Sequence, residues 1–143
     1  MERKNHNKNA LDMGSRIERA AALRRRLLGN AQADAIAADT DAFNRPFQDY
    51  ATANVFGGPW LNGVVPEREL AMVNVGLLAG MGRFEEAAIY SGVAFRLGVS
   101  PREIQELLMH ITVYCGTPVG RQLFRAVKKV LVSEGVDLST VHD

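Results

Sequence analysis

The sequence contains few of the residues on which disulfide and metal chemistry depend. Among its 143 residues there are one cysteine, Cys115, and three histidines. A single cysteine cannot close an internal disulfide, and a cysteine-based zinc site needs several thiolates. His6 and His142 lie near the two ends, and the chain has no His-x-x-x-His or Glu-x-x-His pair. The composition therefore predicts neither a metal site nor a disulfide framework, which is typical of a cytoplasmic protein.

Long hydrophobic runs are also absent, although hydrophobic residues make up 47% of the chain. No run reaches the roughly 18–20 apolar residues that are needed to span a bilayer. Residues 1–13 are polar and lack the apolar core of a signal peptide. We therefore expect a cytoplasmic protein that has no membrane partner.

An excess of positive charge occurs only at the start of the chain, whose formal net charge is +1. Residues 1–30 carry eight Lys and Arg against three Asp and Glu. The run Arg24-Arg25-Arg26 has no interleaved aromatic residues on which bases could stack. This pattern favours a solvated helix face, and we expect no nucleic-acid partner.

No long alternating run indicates a strand, whereas apolar residues recur at helical spacing in most of the chain. The sequence predicts an all-α, single-domain protomer of about six helices over residues 14–135. Polar tails are predicted at 1–13, where the segment should be disordered, and at 136–143.

Helix boundaries in the first half are predicted from caps, glycines and prolines. A helix starting at Ser15 should end before Gly29-Asn30, and an Ala-rich helix should follow. Pro46 should break that helix, and a new one should run from residue 47 to Phe56. The stretch GGPWLNG at 57–63 has no helical period and is predicted as a loop.

Three helices in the second half have clear boundary signals. Pro66 is predicted in the first turn of one helix, and the next should run from Phe84 to Leu97, before Gly98. Ser100-Pro101-Arg102-Glu103 is a capping box with proline at the first helical position. Thr117-Pro118 repeats the cap-plus-proline pattern and opens a helix that should close at Gly135. The segment MVNVGLLAGMG is apolar nearly all round, which predicts burial against a second subunit.

Five segments now occur in a distinctive order: PFQDY, GGPW, PERELAMVNVGLLAGMGRFEE, GVSPREI and ELLMHITVYCGTPVGRQLFRAVKKV. Together they resemble the carboxymuconolactone decarboxylase family, within the alkylhydroperoxidase D-like superfamily, over about residues 20–132. The closing segment, which contains Tyr114, Gly116 and Pro118, is the most specific.

The resemblance implies a helical protomer that assembles into homo-oligomers, as trimers or hexamers. It also implies an apolar pocket near subunit contacts, and a small-molecule substrate from aromatic or lactone metabolism. The type reaction removes carbon dioxide from a lactone acid with neither a metal nor an organic cofactor.

Two departures from the family pattern concern the chemistry. The peroxidase branch uses a Cys-x-x-Cys pair followed by histidine, but the matching positions here are Arg83, Glu86 and Tyr90. Dithiol peroxidase chemistry is therefore not expected. Histidine is also usual at position 90 in decarboxylases. Tyrosine is a poor base at neutral pH but can donate a hydrogen bond to an oxyanion.

Decarboxylation requires binding of the carboxylate, stabilisation of the developing enolate, and delivery of a proton. His110 is the candidate proton donor or oxyanion partner, and Glu69, which matches the family's upstream glutamate, could orient a histidine or shuttle a proton. Tyr90 could hydrogen-bond the carbonyl. The substrate carboxylate could bind Arg68 or Arg121, and the pocket walls could be Trp60 and Phe56.

Each of these candidates also has a structural interpretation: the histidine, tyrosine and tryptophan pack, the arginines pair, and Glu69 stabilises the first turn of its helix through the helix dipole. Cys115 follows His110 by five residues, which places the two side chains about 140° apart on a helix. A nucleophile pair of these two is therefore not expected. Three functions stay open: a decarboxylase-like lyase, a related pocket for isomerisation or cyclisation, and a non-catalytic binding or assembly protein. A peroxidase that uses Cys115 alone ranks last, because the chain has no resolving cysteine.

Overall fold

The computed structural model describes the backbone of residues 5–141 and the side chains of residues 14–141. The chain folds as two compact units, which divide between Val65 and Pro66. The described residues form seven α-helices and no strand, so the predicted all-α class is confirmed. The predicted domain limits at residues 14 and 135 stay predictions.

The helices are numbered in chain order. The first unit contains α1 Asn5–Leu28, α2 Asn30–Asp39 and α3 Arg45–Tyr50. The second unit contains α4 Glu67–Gly80, α5 Phe84–Arg96, α6 Pro101–Cys115 and α7 Thr117–Ser133. A short 3₁₀ turn, Leu138–Thr140, follows in the segment that was predicted as a tail.

The first unit differs from the sequence prediction at three boundaries. Helix α1 is already helical at Asn5, ahead of the start predicted at Ser15, and residues 1–4 of the predicted tail lie outside the described residues. Helix α2 ends at Asp39, before Thr40 and well before Pro46. Pro46 lies in the first turn of the next helix, where the proline ring is well tolerated. The predicted loop at GGPW is wrong. Helical backbone with wide π-type turns continues over Ala51–Trp60 and is interrupted at Gly58, where ψ is −125°.

Arg16 of α1 holds this wide segment in place. The Arg16 Nε donates to the Gly57 carbonyl over 2.9 Å, and its Nη2 donates to Asn62 Oδ1. A Cβ at Gly57 would lie 3.5 Å from that of Ala20, so α1 packs closely against the segment. The basic helix is therefore not only a solvated face.

The second unit packs its helices through small residues. Ala71, Val75 and Ala79 form the buried face of α4, and α5 buries a run of small side chains with Gly92. A Cβ at Gly92 would lie 2.9 Å from Val130 Cγ1, so only glycine permits this approach of α5 to α7.

The capping box predicted for α6 is confirmed. The Glu103 amide donates to Ser100 Oγ over 3.1 Å, and the Ser100 amide donates to Glu103 Oε2 over 2.7 Å. The matching prediction for α7 is wrong, because Thr117 is the first helical residue and Gly116 precedes it without a side-chain cap. Gly116 has a φ of 97°, a backbone conformation that favours glycine, and this lets α6 turn directly into α7.

Candidate functional site

His110 lies on α6 but not on the face that is buried. Ile104, Leu108 and Ile111 form that face, and His110 is exposed. Its ring packs against the ring of Tyr114, with centroids 5.0 Å apart and planes tilted by 57°. His110 is thus accessible to a ligand and is not a histidine of the core.

The contact between α6 and α7 determines which residues of α6 lie at the same height along the helix pair as Arg121. A Cβ at Gly120 would lie 2.7 Å from Thr112 Cγ2 and 3.0 Å from Thr112 Cβ, so the two backbones meet at these residues. Because α7 turns back from α6 at Gly116, Arg121 lies within about one residue of the level of His110. Arg121 is exposed and makes no ion pair with the described residues.

Two contacts show that α4 and α6 run in parallel. At their first turns Arg68 Nη2 pairs with Glu103 Oε1 over 2.5 Å, and at their last turns a Cβ at Gly80 would lie 4.0 Å from Cys115 Sγ. His110 lies seven residues beyond Glu103, or about 10 Å further along α6. Glu69 is at the Arg68 end, so these contacts do not bring Glu69 and His110 together.

Arg68 has a structural partner in this arrangement. Its guanidinium contacts Glu103, whose pKa is lowered by the amide and hydroxyl of Ser100 and then by Arg68. An arginine already paired with a carboxylate is a weaker candidate for binding a substrate carboxylate than the unpaired Arg121. Tyr90 is half-buried near the middle of α5.

Phe56 and Trp60 are buried in the first unit, in the wide segment after α3. The guanidinium of Arg24 lies over the Phe56 ring, 5.5 Å from its centroid, and donates to Gln48 and Thr52. The Arg24 Nε is buried and has no hydrogen-bond partner among the described residues. These contacts of Arg24 were not predicted from the sequence. A run of three arginines is usually solvent-exposed, and the partners of Arg24 lie on other helical segments.

Exposed apolar side chains follow α4 and α6 on their unburied sides. They are between 50% and 79% exposed, and we call them the α4–α6 apolar face: Val73, Leu77, Met81, Met109, Val113 and Tyr114. Val73, Leu77 and Met81 are spaced by four residues, as are Met109 and Val113, so each set follows one side of its helix. Helix α4 is thus apolar on both its buried and its exposed sides, as the sequence predicted.

Cys115 is exposed at the end of α6 and forms no disulfide within the part of the chain that the structure describes. Within residues 14–141, no three His, Cys, Asp or Glu side chains come together in a group that could hold a metal ion. None of the helices described is both long and apolar enough to cross a membrane.

The comparisons with known proteins give the class directly. The model of the carboxymuconolactone decarboxylase family matches residues 41–129, which is more than half of the chain. The protein therefore belongs to the carboxymuconolactone decarboxylase family.

Two relatives have more specific names than the family. A 4-carboxymuconolactone decarboxylase of Acinetobacter baylyi is 23% identical over 121 residues, which cover 85% of this chain and 90% of the relative. A nitrosuccinic acid decarboxylase of Metarhizium robertsii is 28% identical over 96 residues, covering 67% of each chain. No solved structure matches the chain significantly.

Proposed function

We propose that the protein is a cofactor-independent decarboxylase of a small acid in which the electron pair left by the departing carbon dioxide can pass to an electron-accepting group. The observation that carries this proposal is that both characterised relatives are decarboxylases, although their substrates differ. Loss of carbon dioxide from either acid leaves an electron pair on carbon. A lactone carbonyl or a nitro group can take up that pair, so the protein has to bind, orient and protonate the substrate.

We assign the site to His110 and Arg121, which are both exposed at about the same level along α6 and α7. The Arg121 guanidinium can bind a carboxylate with two parallel hydrogen bonds. The exposed His110 imidazole can deliver the proton. Tyr90 keeps its proposed role as a donor to the developing oxyanion, and Glu69 that of orienting a histidine, here one supplied by a neighbouring subunit.

Assembly into a homo-oligomer, as a trimer or hexamer, is part of this proposal. The α4–α6 apolar face supports it, since an exposed surface of this kind marks an interaction site. His110 lies next to two members of that face, Met109 and Tyr114, so a second copy seated there would cover the histidine. Covering the site would exclude water, which strengthens its electrostatic interactions.

Carbon dioxide release from 4-carboxymuconolactone and from nitrosuccinic acid tests the function. His110→Ala should lower kcat by about 10²–10⁴-fold, the usual contribution of a positioned acid. Arg121→Gln should mainly raise KM. Cys115→Ser is the matched control, because Cys115 is exposed on the same helix and has no proposed role. Full activity of His110→Ala would refute the assignment.

Assembly is tested separately by sedimentation velocity. Leu77→Glu places a charge within the α4–α6 apolar face and should shift the protein toward monomer. Val132→Glu is the control, since Val132 is an exposed apolar residue on α7, outside that face. If wild type is monomeric at micromolar concentration, the assembly proposal fails whatever the activity.

A second function is favoured by tyrosine at position 90, where decarboxylases resembling this chain usually have histidine. A related pocket could isomerise or cyclise its substrate. Mass spectrometry distinguishes the two, because an isomerised product keeps the substrate's mass. A Tyr90→His variant that gains decarboxylation would show that tyrosine changed the reaction. Binding without any conversion would instead indicate a non-catalytic protein.

A further inference from the structure

A cavity of about 400 Å³ lies between α6, α7 and the C-terminal 3₁₀ turn. We call it the C-terminal pocket, and none of the candidate site residues lines it. Its volume is within the range of small-molecule sites, about 300–1,000 Å³. Its lining is mainly apolar and includes six aliphatic side chains: Ile104, Leu108, Val127, Leu131, Leu138 and Val141.

Positive charge and one amide are the polar groups in this lining. Arg125 and Lys128 lie three residues apart on α7, and therefore on the same side of that helix. Gln105 lies on α6. Among the described residues, no acidic side chain lines the pocket and none forms an ion pair with either cation. The pocket thus joins an apolar interior to two positive charges that no described carboxylate pairs with.

The third wall of the pocket is a defined turn. The Asp137 carboxylate accepts hydrogen bonds from the Ser139 amide over 2.9 Å and from the Ser139 hydroxyl over 2.7 Å. These bonds hold the 3₁₀ turn that presents Leu138, and Val141 follows directly. The wall therefore depends on one carboxylate that does not itself line the pocket.

We propose that the C-terminal pocket binds an amphipathic monocarboxylate, with an aliphatic or ring body inside and its carboxylate at Lys128, Arg125 and Gln105. Apolar burial supplies the affinity, since the interior side chains have no polar atoms. The two cations and the amide donor select an anion over a neutral or positive head group. This binding does not depend on the proposed decarboxylase activity, because no residue of that site contributes to the pocket.

Calorimetric titration of the full chain with decanoate tests the proposal. Decanoate should bind with one-to-one stoichiometry, and decyltrimethylammonium, which has the same chain but a cationic head, should not bind measurably. Lys128→Glu should weaken decanoate binding by about tenfold, as expected when an attractive charge contact becomes repulsive. Lys129→Glu makes the same charge change one residue along, outside the lining, and should change the affinity by less than about twofold.

A variant that fills the cavity supplies a second test. Val141 is a half-buried wall residue near the chain end, so Val141→Trp should occupy the pocket without disturbing the core, and decanoate binding should be lost. Amide resonances of residues 138–141 should shift on titration of wild type. Equal binding of both head groups, or equal losses in Lys128→Glu and Lys129→Glu, would overturn the proposal. The proposal would also be overturned if decanoate did not bind and Val141→Trp changed the sedimentation of the protein. That result would indicate that the C-terminal pocket contacts a second copy of the chain.

Discussion

Replacing Gly120 by alanine should disturb the contact that aligns α7 with α6. A Cβ at this position would lie 2.7 Å from Thr112 Cγ2 and 3.0 Å from Thr112 Cβ. The Thr112 side chain is held in place, because its hydroxyl donates to the Leu108 carbonyl over 2.7 Å. The new methyl group must therefore push the helices apart or rotate Thr112 out of this bond.

The size of the effect is a difference between two terms. Overpacking costs about 1–3 kcal/mol. Replacing glycine by alanine inside a helix gains about 0.5–1 kcal/mol. Gly120→Ala should therefore lower the free energy of unfolding by about 1 kcal/mol. Gly76→Ala in α4 is the control, because a Cβ there meets nothing within 4 Å, and this variant should gain stability by the helix term alone.

Urea unfolding followed by circular dichroism measures these differences, and a double variant tests the cause. In a Thr112→Ala background the two closest atoms, Thr112 Oγ1 and Cγ2, are missing and only the contact with Cβ remains, so Gly120→Ala should cost less than it does in wild type. The coupling between the two substitutions should be about 1 kcal/mol or more. If Gly120→Ala is as stabilising as Gly76→Ala, or if no coupling appears, the α6–α7 register described above is wrong, and so is the placement of Arg121 at the level of His110.

Three further outcomes follow from single contacts. Arg24→Ala should destabilise the protein by about 1–3 kcal/mol in urea unfolding, because it removes charge-assisted hydrogen bonds and a ring contact, whereas the exposed Arg19→Ala should change little. The pKa of Glu103 is lowered in the folded chain. Its contribution to stability is therefore present above the unfolded pKa and is lost as pH falls through the folded pKa. Glu103→Gln should flatten the dependence of Tm on pH in the acid range. Asp137→Ala should release the C-terminal turn and weaken decanoate binding while leaving decarboxylation unchanged.

Local signals in the sequence predict the second unit well. Glycine after α5 and the capping box before α6 each act within a few residues of the helix end, and the structure confirms both, with a φ of 93° at Gly98. The first unit is predicted less well, because its boundaries depend on contacts that are distant in the chain. The Arg16 bond to the Gly57 carbonyl spans 41 residues, and no local pattern indicates that GGPW continues as helix.

The arrangement of the candidate site residues also depends on contacts between helices, which the sequence does not show. Residue type and family resemblance select His110 and Arg121, but their shared level follows only from the close approach of Gly120 to Thr112. The sequence named Glu69 and Arg68 as candidates for the same site, whereas Arg68 pairs with Glu103, which lies about 10 Å from His110 along α6. The structural role of Arg24 could not be predicted from the sequence. Whether an arginine packs against neighbouring elements or stays in solvent depends on partners that are distant in the chain.

The exposure of His110 links the proposed chemistry to the proposed assembly. A proton donor in open water has little advantage over the solvent, because screening weakens every interaction that would favour the transition state. The described protomer leaves this histidine uncovered beside apolar side chains that are themselves exposed. One event, the seating of a second copy on the α4–α6 apolar face, would bury the apolar surface and exclude water from His110. We therefore expect Leu77→Glu to reduce decarboxylation in proportion to the monomer formed, although Leu77 has no role in the reaction, whereas Val132→Glu should reduce neither.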